Sequence, residues 1–498
     1  MNTVPYTNIN ELFINGHWKK PATHQYEDVI NPATEEVIGR APLADVSDVE
    51  LAIQSAREAF DHGPWPKMSF AERIEAMKRF RDCLKAHETD IGALLQAEVG
   101  STYMLVKGLQ FTGAIQALDY CIELAAQVKP TSNDVVVTPN LLDPTSSGTL
   151  GGAVTVHDAY GVVAGISAYN YPLLINMSKI APALITGNCL VLKPSPHSPF
   201  SALLLGKIAE ESGLPPGVLN IVTGGIEAGS TLTTDPRVDL ISFTGSDTVG
   251  ADILAQSAKN LKKVHLELGG KSAMIVRADA NLQIAAGNAA FNFTLHAGQG
   301  CALLTRFIVH NSIRPMFVEA VKAVLGQLKV GDPADPQTMI GPLISEVALA
   351  KTEYYVQKAL DEGARLVFGG QRPEGLEKGY FHNPTLFDDV NNASAVAQEE
   401  VFGPVGVIIG FDTDEEAIEL ANNSNFGLSG GIISEDKVAA FTMAKQLRTG
   451  DVKINGGTGG LFFQAPFGGY KRSGIGREFG PNWLNEYLLE KSIHYPIG

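Results

Sequence analysis

Between Gly161 and Phe243 the chain repeats one unit: a short, continuous run of aliphatic residues, a turn, and in most repeats a helical stretch. The runs are Gly161–Ser167, Asn188–Pro194, Val218–Val222 and Val238–Phe243. They are mostly apolar without strict alternation, which predicts strands buried on both faces. Helices are predicted after Pro172 and over 199–212. Strands and helices alternating at this spacing form a covered parallel sheet, which binds ligands beyond the carboxyl ends of its strands. A dinucleotide domain is the default expectation. The fourth run leads into Thr244-Gly245-Ser246-Asp247-Thr248-Val249-Gly250 and a helix. Gly245 is expected to permit a tight turn, Ser246 to offer a hydroxyl, and the helix amino terminus to offer N–H groups to a phosphate. The GxGxxG fingerprint is absent, so a plain turn explains this stretch as well.

With 498 residues, two or three domains are expected. Residues 12–45 read as short strands around the turns Asn15-Gly16 and Asn31-Pro32-Ala33-Thr34, and Val46–Lys129 reads as helical with Ser47 as N-cap. Residues 131–158 read as a hairpin or long edge strand, which would invite pairing with another subunit. After a strand at Ser272–Val276, a second α/β region is predicted over 303–450, with strands at Arg306–Val309 and Leu366–Phe368 and helices over 314–328, 345–362, 414–422 and 436–446.

The formal charge of −16 argues against nucleic acid or an anionic membrane as partner. Cys83, Cys121, Cys189 and Cys301 lack CxxC or His-paired spacing, so neither a disulfide framework nor a metal site is expected. No secretory signal is visible at Met1–Asn10, and the apolar region 161–192 is interrupted by Asn170, Pro172, Lys179, Pro182 and Asn188. A cytoplasmic location is expected. From Phe291 the chain is helix-compatible until it breaks at Gly298 and Gly300 and presents Cys301. The glycines would let a ligand approach and leave the Cys301 N–H free. Taken alone, a packed cysteine outweighs a reactive one by about 4 to 1.

Seven separated motifs reverse those odds: Tyr169-Asn170-Tyr171-Pro172, Leu192-Lys193-Pro194-Ser195, Phe243-Thr244-Gly245-Ser246, Leu266-Glu267-Leu268-Gly269-Gly270-Lys271, Gly298-Gln299-Gly300-Cys301, Glu400-Val401-Phe402-Gly403-Pro404 and Phe467-Gly468-Gly469. In this order the chain resembles the NAD(P)-dependent aldehyde dehydrogenase superfamily over nearly its whole length. The resemblance implies an α/β fold of that type. A Rossmann-type cofactor domain (1–131 with 155–267) would join an α/β catalytic domain (268–483) and a small β oligomerisation segment (132–154 with 484–498). It also implies homodimers or homotetramers.

The resemblance further implies roles. Cys301 would be the nucleophile, forming a thiohemiacetal and then a thioester. Asn170 would hold the oxyanion with the Cys301 N–H, and Glu267 would activate the hydrolysing water. Lys179 and Glu478 would support the proton route from Glu267. Lys193 would bind the adenosine ribose, Ser246 the pyrophosphate and Glu400 the nicotinamide ribose, with Phe402 against the ring. Ser167, Ala168, Ser195, Pro196, Gly229, Phe243, Gly245, Val249, Leu268 and Gly269 complete the expected cofactor contacts. Glu267 disfavours transfer of the acyl group to coenzyme A, because that branch lacks it, and an inactive relative would be expected to lose Cys301, Glu267 or Asn170.

Many NAD-preferring members carry a glutamate where this chain has Pro196, so NAD is the expected cofactor with NADP left open, His197 lying near a 2′-phosphate position. Positions matching the substrate tunnel are Tyr171, Leu174, Ile175, Ser178, Leu295, the stretch Leu461-Phe462-Phe463, and Phe467. They are mostly apolar, and Ser178 would leave room, so a bulky apolar, terpenoid or aromatic aldehyde is expected. The alternative is a carboxylate-bearing semialdehyde anchored by Lys453.

Overall fold

The computed structural model describes residues 6–497. The predicted strands at its centre form at Val162–Ile166, Cys189–Lys193, Leu219–Ile221 and Leu240–Thr244, and a fifth follows at Lys263–Glu267. All five are parallel, in the spatial order third, second, first, fourth, fifth. The order reverses between Val162–Ile166 and Leu240–Thr244, the place where such sheets open a crevice for ligands. Helices Val46–Asp61 and Pro172–Ile185 both pack on Cys189–Lys193, which explains why that strand is apolar on both sides.

Three short strands extend the sheet. Leu12–Ile14 and His17–Lys19 pair through Asn15-Gly16, both left-handed as a tight hairpin turn requires. At the other edge Gly474–Ile475 runs antiparallel to Leu266 and Glu267, so a segment expected within 268–483 completes the first sheet. The second predicted turn also forms, with the Asn31 side chain accepting from the Ala33 N–H at 2.9 Å between paired strands Tyr26–Asn31 and Glu36–Pro42.

Ser47 is not the helix cap. Asp45 takes that place: its extended backbone lets the carboxylate accept from the Asp48 N–H at 3.0 Å, while Ser47 lies in the first turn and donates its hydroxyl to Asp45 at 2.7 Å. Further along, Val106–Thr112 widens into a π-helical stretch, a distortion that recurs at functional sites.

The second sheet has seven strands in the order Arg365–Phe368, Thr385–Asp388, Val405–Phe411, Leu304–His310, Ser272–Val276, Ser429–Ile433 and Asp451–Ile454. Only the first pair is antiparallel. Four residues, Leu268 to Lys271, separate its strand Ser272–Val276 from the last parallel strand of the first sheet. The predicted helices form at Arg314–Leu325, Glu346–Asp361, Asp414–Asn422 and Lys437–Ala444.

A third sheet gathers Thr131–Ser132, Val136–Thr138 and Thr149–Ala159 with the carboxyl-terminal strand Leu488–Pro496, registered antiparallel from Leu488 opposite Ala159 to Pro496 opposite Gly151. Val136, Val137, Leu150, Ile493 and Tyr495 are exposed on it. Among the described residues no helix is long and apolar enough to cross a membrane.

Candidate active site

The helix Leu282–Thr294 stops earlier than expected. The break begins not at Gly298 but at Leu295, whose backbone is already non-helical, and His296, Ala297 and Gly298 are all left-handed, with φ of 50°, 53° and 75°. Two non-glycine residues in that region store strain, which persists only where the surroundings enforce it. Gln299 enforces it: its side-chain amide donates to the His296 carbonyl at 2.9 Å and the Pro342 carbonyl at 3.3 Å, while its Oε1 accepts from the Ile344 N–H at 2.9 Å and the Tyr169 hydroxyl at 3.2 Å. A Cβ on Gly298 would lie 2.1 Å from the Gly403 carbonyl oxygen. Gly298→Ala is therefore expected to destabilise the protein by more than about 1 kcal/mol and to lower turnover. Urea unfolding of the variant beside the parent checks this, and an unchanged midpoint would show that the loop yields freely.

This loop leaves Cys301 half-buried, its N–H donating to no backbone carbonyl. Burial, and then the carboxylates of Glu267, Glu400 and Glu478, push the thiol's pKa up. At rest Cys301 is a thiol. Asn170, 3% exposed, donates through Nδ2 to the Gln299 carbonyl at 3.0 Å, which fixes its amide beside the cysteine loop. Its own carbonyl accepts from Gln110 Nε2 at 3.3 Å, and Gln110 rides on the π-helical stretch.

Glu267 ends the strand Lys263–Glu267 and is 3% exposed, and neither carboxylate oxygen has a hydrogen-bond partner. Burial raises its pKa well above the usual range, and Glu478 adds to the effect. Lys179 Nζ lies 2.8 Å from Thr244 Oγ1 and 3.4 Å from Glu478 Oε1. Ser178 differs from expectation. It is 1% exposed and its hydroxyl donates to Glu478 at 2.8 Å, so it sits in this buried polar cluster and not on an open tunnel wall.

The residues expected at the cofactor flank the crevice of the first sheet. Lys193, 6% exposed, donates to the Gly224 and Pro194 carbonyls at 2.7 and 3.0 Å, and burial lowers its pKa to about 8. Gly229 leaves its Cε room, since a Cβ there would lie at 3.4 Å. The Ser167 hydroxyl is spent inward, donating to Asn176 at 2.6 Å. Ser195 accepts from the His197 N–H at 3.3 Å, and Pro196 and His197 are exposed.

Gly245 is not a positive-φ turn; it is required because a Cβ would lie 2.4 Å from the Phe243 ring. The Ser246 hydroxyl caps its own helix by accepting from the Val249 N–H at 3.3 Å. Glu400 accepts from the Gly270 N–H at 2.9 Å, and a Cβ on Gly269 would meet its Oε2 at 2.5 Å. The Leu268 N–H donates to the Ser473 carbonyl at 3.0 Å, and Phe402, in a left-handed conformation, stands edge-on to Tyr169. One apolar feature was not expected: Ile226 is 92% exposed at the start of the helix Ile226–Thr234, which packs against the helix Asp247–Ser257 carrying the half-exposed Val249.

Of the expected substrate positions, Tyr171 and Leu174 are buried, and Ile175, Leu295, Leu461 and Phe467 are partly buried at the margin of the same apolar core. The Tyr171 hydroxyl lies 2.9 Å from where a Gly300 Cβ would stand. Phe462 is exposed, whereas Phe463 is buried against Phe479. Lys453 lies on the edge strand Asp451–Ile454 with its stem near Gly457, and it forms no ion pair with a carboxylate among the described residues. No group of three or more His, Cys, Asp or Glu residues among those described could hold a metal ion.

A nucleotide-type parallel sheet abutting a strained cysteine loop and a buried glutamate defines a thiol-bearing oxidoreductase. The chain belongs to the aldehyde dehydrogenase family, which it matches over residues 18–493. It is 38% identical over 486 residues to a 3-succinoylsemialdehyde-pyridine dehydrogenase of a Pseudomonas species, covering 97% of this chain and 98% of that one. Among solved structures it is similar to a Mycobacterium tuberculosis aldehyde dehydrogenase complexed with NAD+, at 40% identity and a TM-score of 0.91 with 98% of each chain covered. It is also similar to a mutant indole-3-acetaldehyde dehydrogenase from P. syringae in complex with NAD+ and IAA, at 34% identity and a TM-score of 0.93, covering 99% of this chain and 98% of that one.

Proposed function

We propose that this protein oxidises a bulky aromatic or otherwise apolar aldehyde to its carboxylic acid, with NAD as the oxidant, through an acyl group held on Cys301. The observation that carries the reading is the buried, unpartnered carboxylate of Glu267, whose charge acts on the Cys301 thiol. Among side chains Glu267 exerts the largest influence on the thiol, and both its oxygens are without partners and so free to take a proton.

Glu267 removes the thiol proton as Sγ attacks the aldehyde carbon, giving a thiohemiacetal. The new oxyanion is held by Asn170 Nδ2 and the Cys301 N–H, two donors fixed before the reaction begins. NAD, when bound, supplies the hydride acceptor. Loss of hydride from that carbon leaves a thioester, and Glu267 then deprotonates the water that cleaves it. The acid departs and Cys301 recovers its proton. Lys179, Glu478 and Ser178 form a buried polar path by which the proton on Glu267 can be passed on. Asn170→Ala is expected to lower kcat by about 10²–10³-fold, with the KM for NAD little changed. A loss below fivefold would remove Asn170 from the oxyanion site.

The family's solved relatives bind NAD+, and the residues here fit that cofactor. Ile226 and Val249 offer an apolar slot on adjoining helices for an adenine ring, Lys193 stands ready for a ribose hydroxyl, and Glu400, held by the Gly270 N–H, for the other ribose. Pro196 supplies no anion against a 2′-phosphate, so NADP is the second cofactor to test.

Leu295, Ile175, Leu461, Phe462 and Phe467 supply apolar surface for a ring, and the two relatives named for their substrates act on a pyridine-bearing semialdehyde and an indole-bearing acetaldehyde. Lys453, without a carboxylate partner, supports the alternative of a carboxylate-bearing semialdehyde. Initial rates with NAD and NADP against aromatic, terpenoid, short aliphatic and carboxylate-bearing aldehydes decide the matter. The proposal fails on substrate if succinate-type semialdehydes give the highest kcat/KM.

We read residues 1–131 with 155–267 as the cofactor domain and 268–483 as the catalytic one. Residues 132–154 with 484–498 are read as the oligomerisation segment of a homodimer or homotetramer, supported by the exposed Val136, Val137 and Ile493; the four-stranded sheet they build also takes in Thr131 and residues 155–159. Free cysteines and the negative charge agree with a cytoplasmic location.

A further inference from the structure

His265 has no part in the steps above, yet it is fully buried two residues before Glu267 on the same strand, so both side chains emerge on one face. Its Nδ1 lies 3.4 Å from the hydroxyl of Ser242, its register partner on the neighbouring strand. Ser242 Oγ also lies 3.4 Å from Lys179 Nζ and 3.1 Å from the Tyr487 hydroxyl. An ammonium can only donate, and the phenol donates as well, so both lone pairs of Ser242 are taken. Its own hydrogen is left for His265 Nδ1. The imidazole is neutral, its pKa held down to about 3 by burial and by Lys179, Lys263 and Arg477. A neutral ring accepting at Nδ1 carries its proton on Nε2.

That Nε2–H has no partner of its own, and it faces Glu267 Oε1 across 3.9 Å. Both Glu267 oxygens are likewise unpartnered. A buried donor and a buried acceptor left unmet on facing side chains are costly apart and close at the expense of a small rotation. Gly476 leaves space for the ring, since a Cβ there would lie 2.1 Å from His265 Cδ2.

We infer that His265 is a positioning residue for Glu267, donating its Nε2–H to the carboxylate and so holding the base charged and aimed until the thiol or the water presents its proton. The chain Lys179 and Tyr487 to Ser242 to His265 to Glu267 sets the direction of every hydrogen in it. The inference rests on the reading of Glu267 as the general base. The other charged groups acting on Glu267 are Glu478, which disfavours its ionised form, and Lys179 and Arg477, which favour it.

Removing the donor withdraws stabilisation from the charged carboxylate alone, so the acid limb of the rate profile moves to higher pH. The test is the pH dependence of kcat with an aromatic aldehyde and saturating NAD, for the parent, His265→Leu and His265→Gln. In His265→Leu the acid-side inflection is expected to rise by about one pH unit, a tenfold change in proton affinity. Glutamine places an N–H where Nε2 stood, so His265→Gln is expected to keep the parent inflection. An inflection unmoved in His265→Leu, or moved equally in both variants, overturns the inference. Should His265→Leu not fold, His265→Asn takes its place, because its shorter amide reaches Ser242 and not Glu267. Glu267→Gln separates the two readings: if that variant retains the parent's acid limb, Glu267 is not the base, whatever the His265 variants show.

Discussion

Cys301→Ala is expected to lower aldehyde-dependent NADH formation by about 10⁴-fold or more. No second nucleophile is at hand. The other three cysteines lie elsewhere in the fold, Cys121 and Cys189 fully buried and Cys83 on the helix Phe70–Ala86, and no hydroxyl side chain shares the short turn between Gly300 and Leu303. The variant should fold, since the loop is held by Gln299, Asn170 and Gly298 and not by the thiol. NADH absorbance against an aromatic aldehyde, with NAD binding followed separately by fluorescence, gives the result. A variant that still binds NAD and turns over within a hundredfold of the parent would end the claim of covalent catalysis.

Glu267→Gln should separate the two halves of the reaction. The amide fills the same buried volume but cannot take a proton, so hydrolysis should slow more than hydride transfer, with kcat reduced by about 10²–10⁴-fold. One equivalent of NADH should still form, slowed by the loss of the thiol's base but ahead of hydrolysis, and intact-mass measurement should find the acyl group still on Cys301. A variant that turns over steadily without an adduct would move the base elsewhere. In the parent the sign of the pH dependence is fixed: the raised pKa leaves Glu267 protonated and unable to accept a proton on the acid side, so the rate rises as pH climbs through it.

Much of the fold was legible because the strands at 162–166, 189–193 and 240–244 are predominantly apolar without strict alternation, the signature of burial on both faces. Four strands of the second sheet, Asp451–Ile454, Thr385–Asp388, Val405–Phe411 and Ser429–Ile433, were not predicted. In the last two, glycines lower the strand signal, and the reason for them is tertiary. A Cβ at Gly431 would meet Leu304 at 2.7 Å, and one at Gly406 would meet Phe307 at 2.8 Å. Such glycines answer to neighbours about 100 or more residues away, which a local pattern cannot register.

The candidate site divides in the same way. Cys301, Glu267 and Asn170 stand inside short motifs, and the structure gathers them around one loop. Gln299, Gln110, Ser242, Tyr487 and His265 were passed over, because each acts only through a partner distant in the chain. The one available signal was the polar residue His265 at an apolar position of a strand. Ser178 was misplaced for a related reason: a small residue in an apolar helix reads as space, and only Glu478, 300 residues on, shows that its hydroxyl is used.

Glu267 closes the last parallel strand of one sheet, four residues before the next sheet begins, and Gly474 pairs with it from the far end of the chain. A chimera assembled from two relatives with a crossover inside Leu268–Lys271 would therefore put the glutamate from one parent against the cysteine loop, Glu400 and Ser473 of the other. These parts exchange as a block. A single breakpoint leaves that block whole only ahead of Glu267, as on the hairpin Leu12–Lys19, or past Gly474, as on the carboxyl-terminal strand Leu488–Pro496.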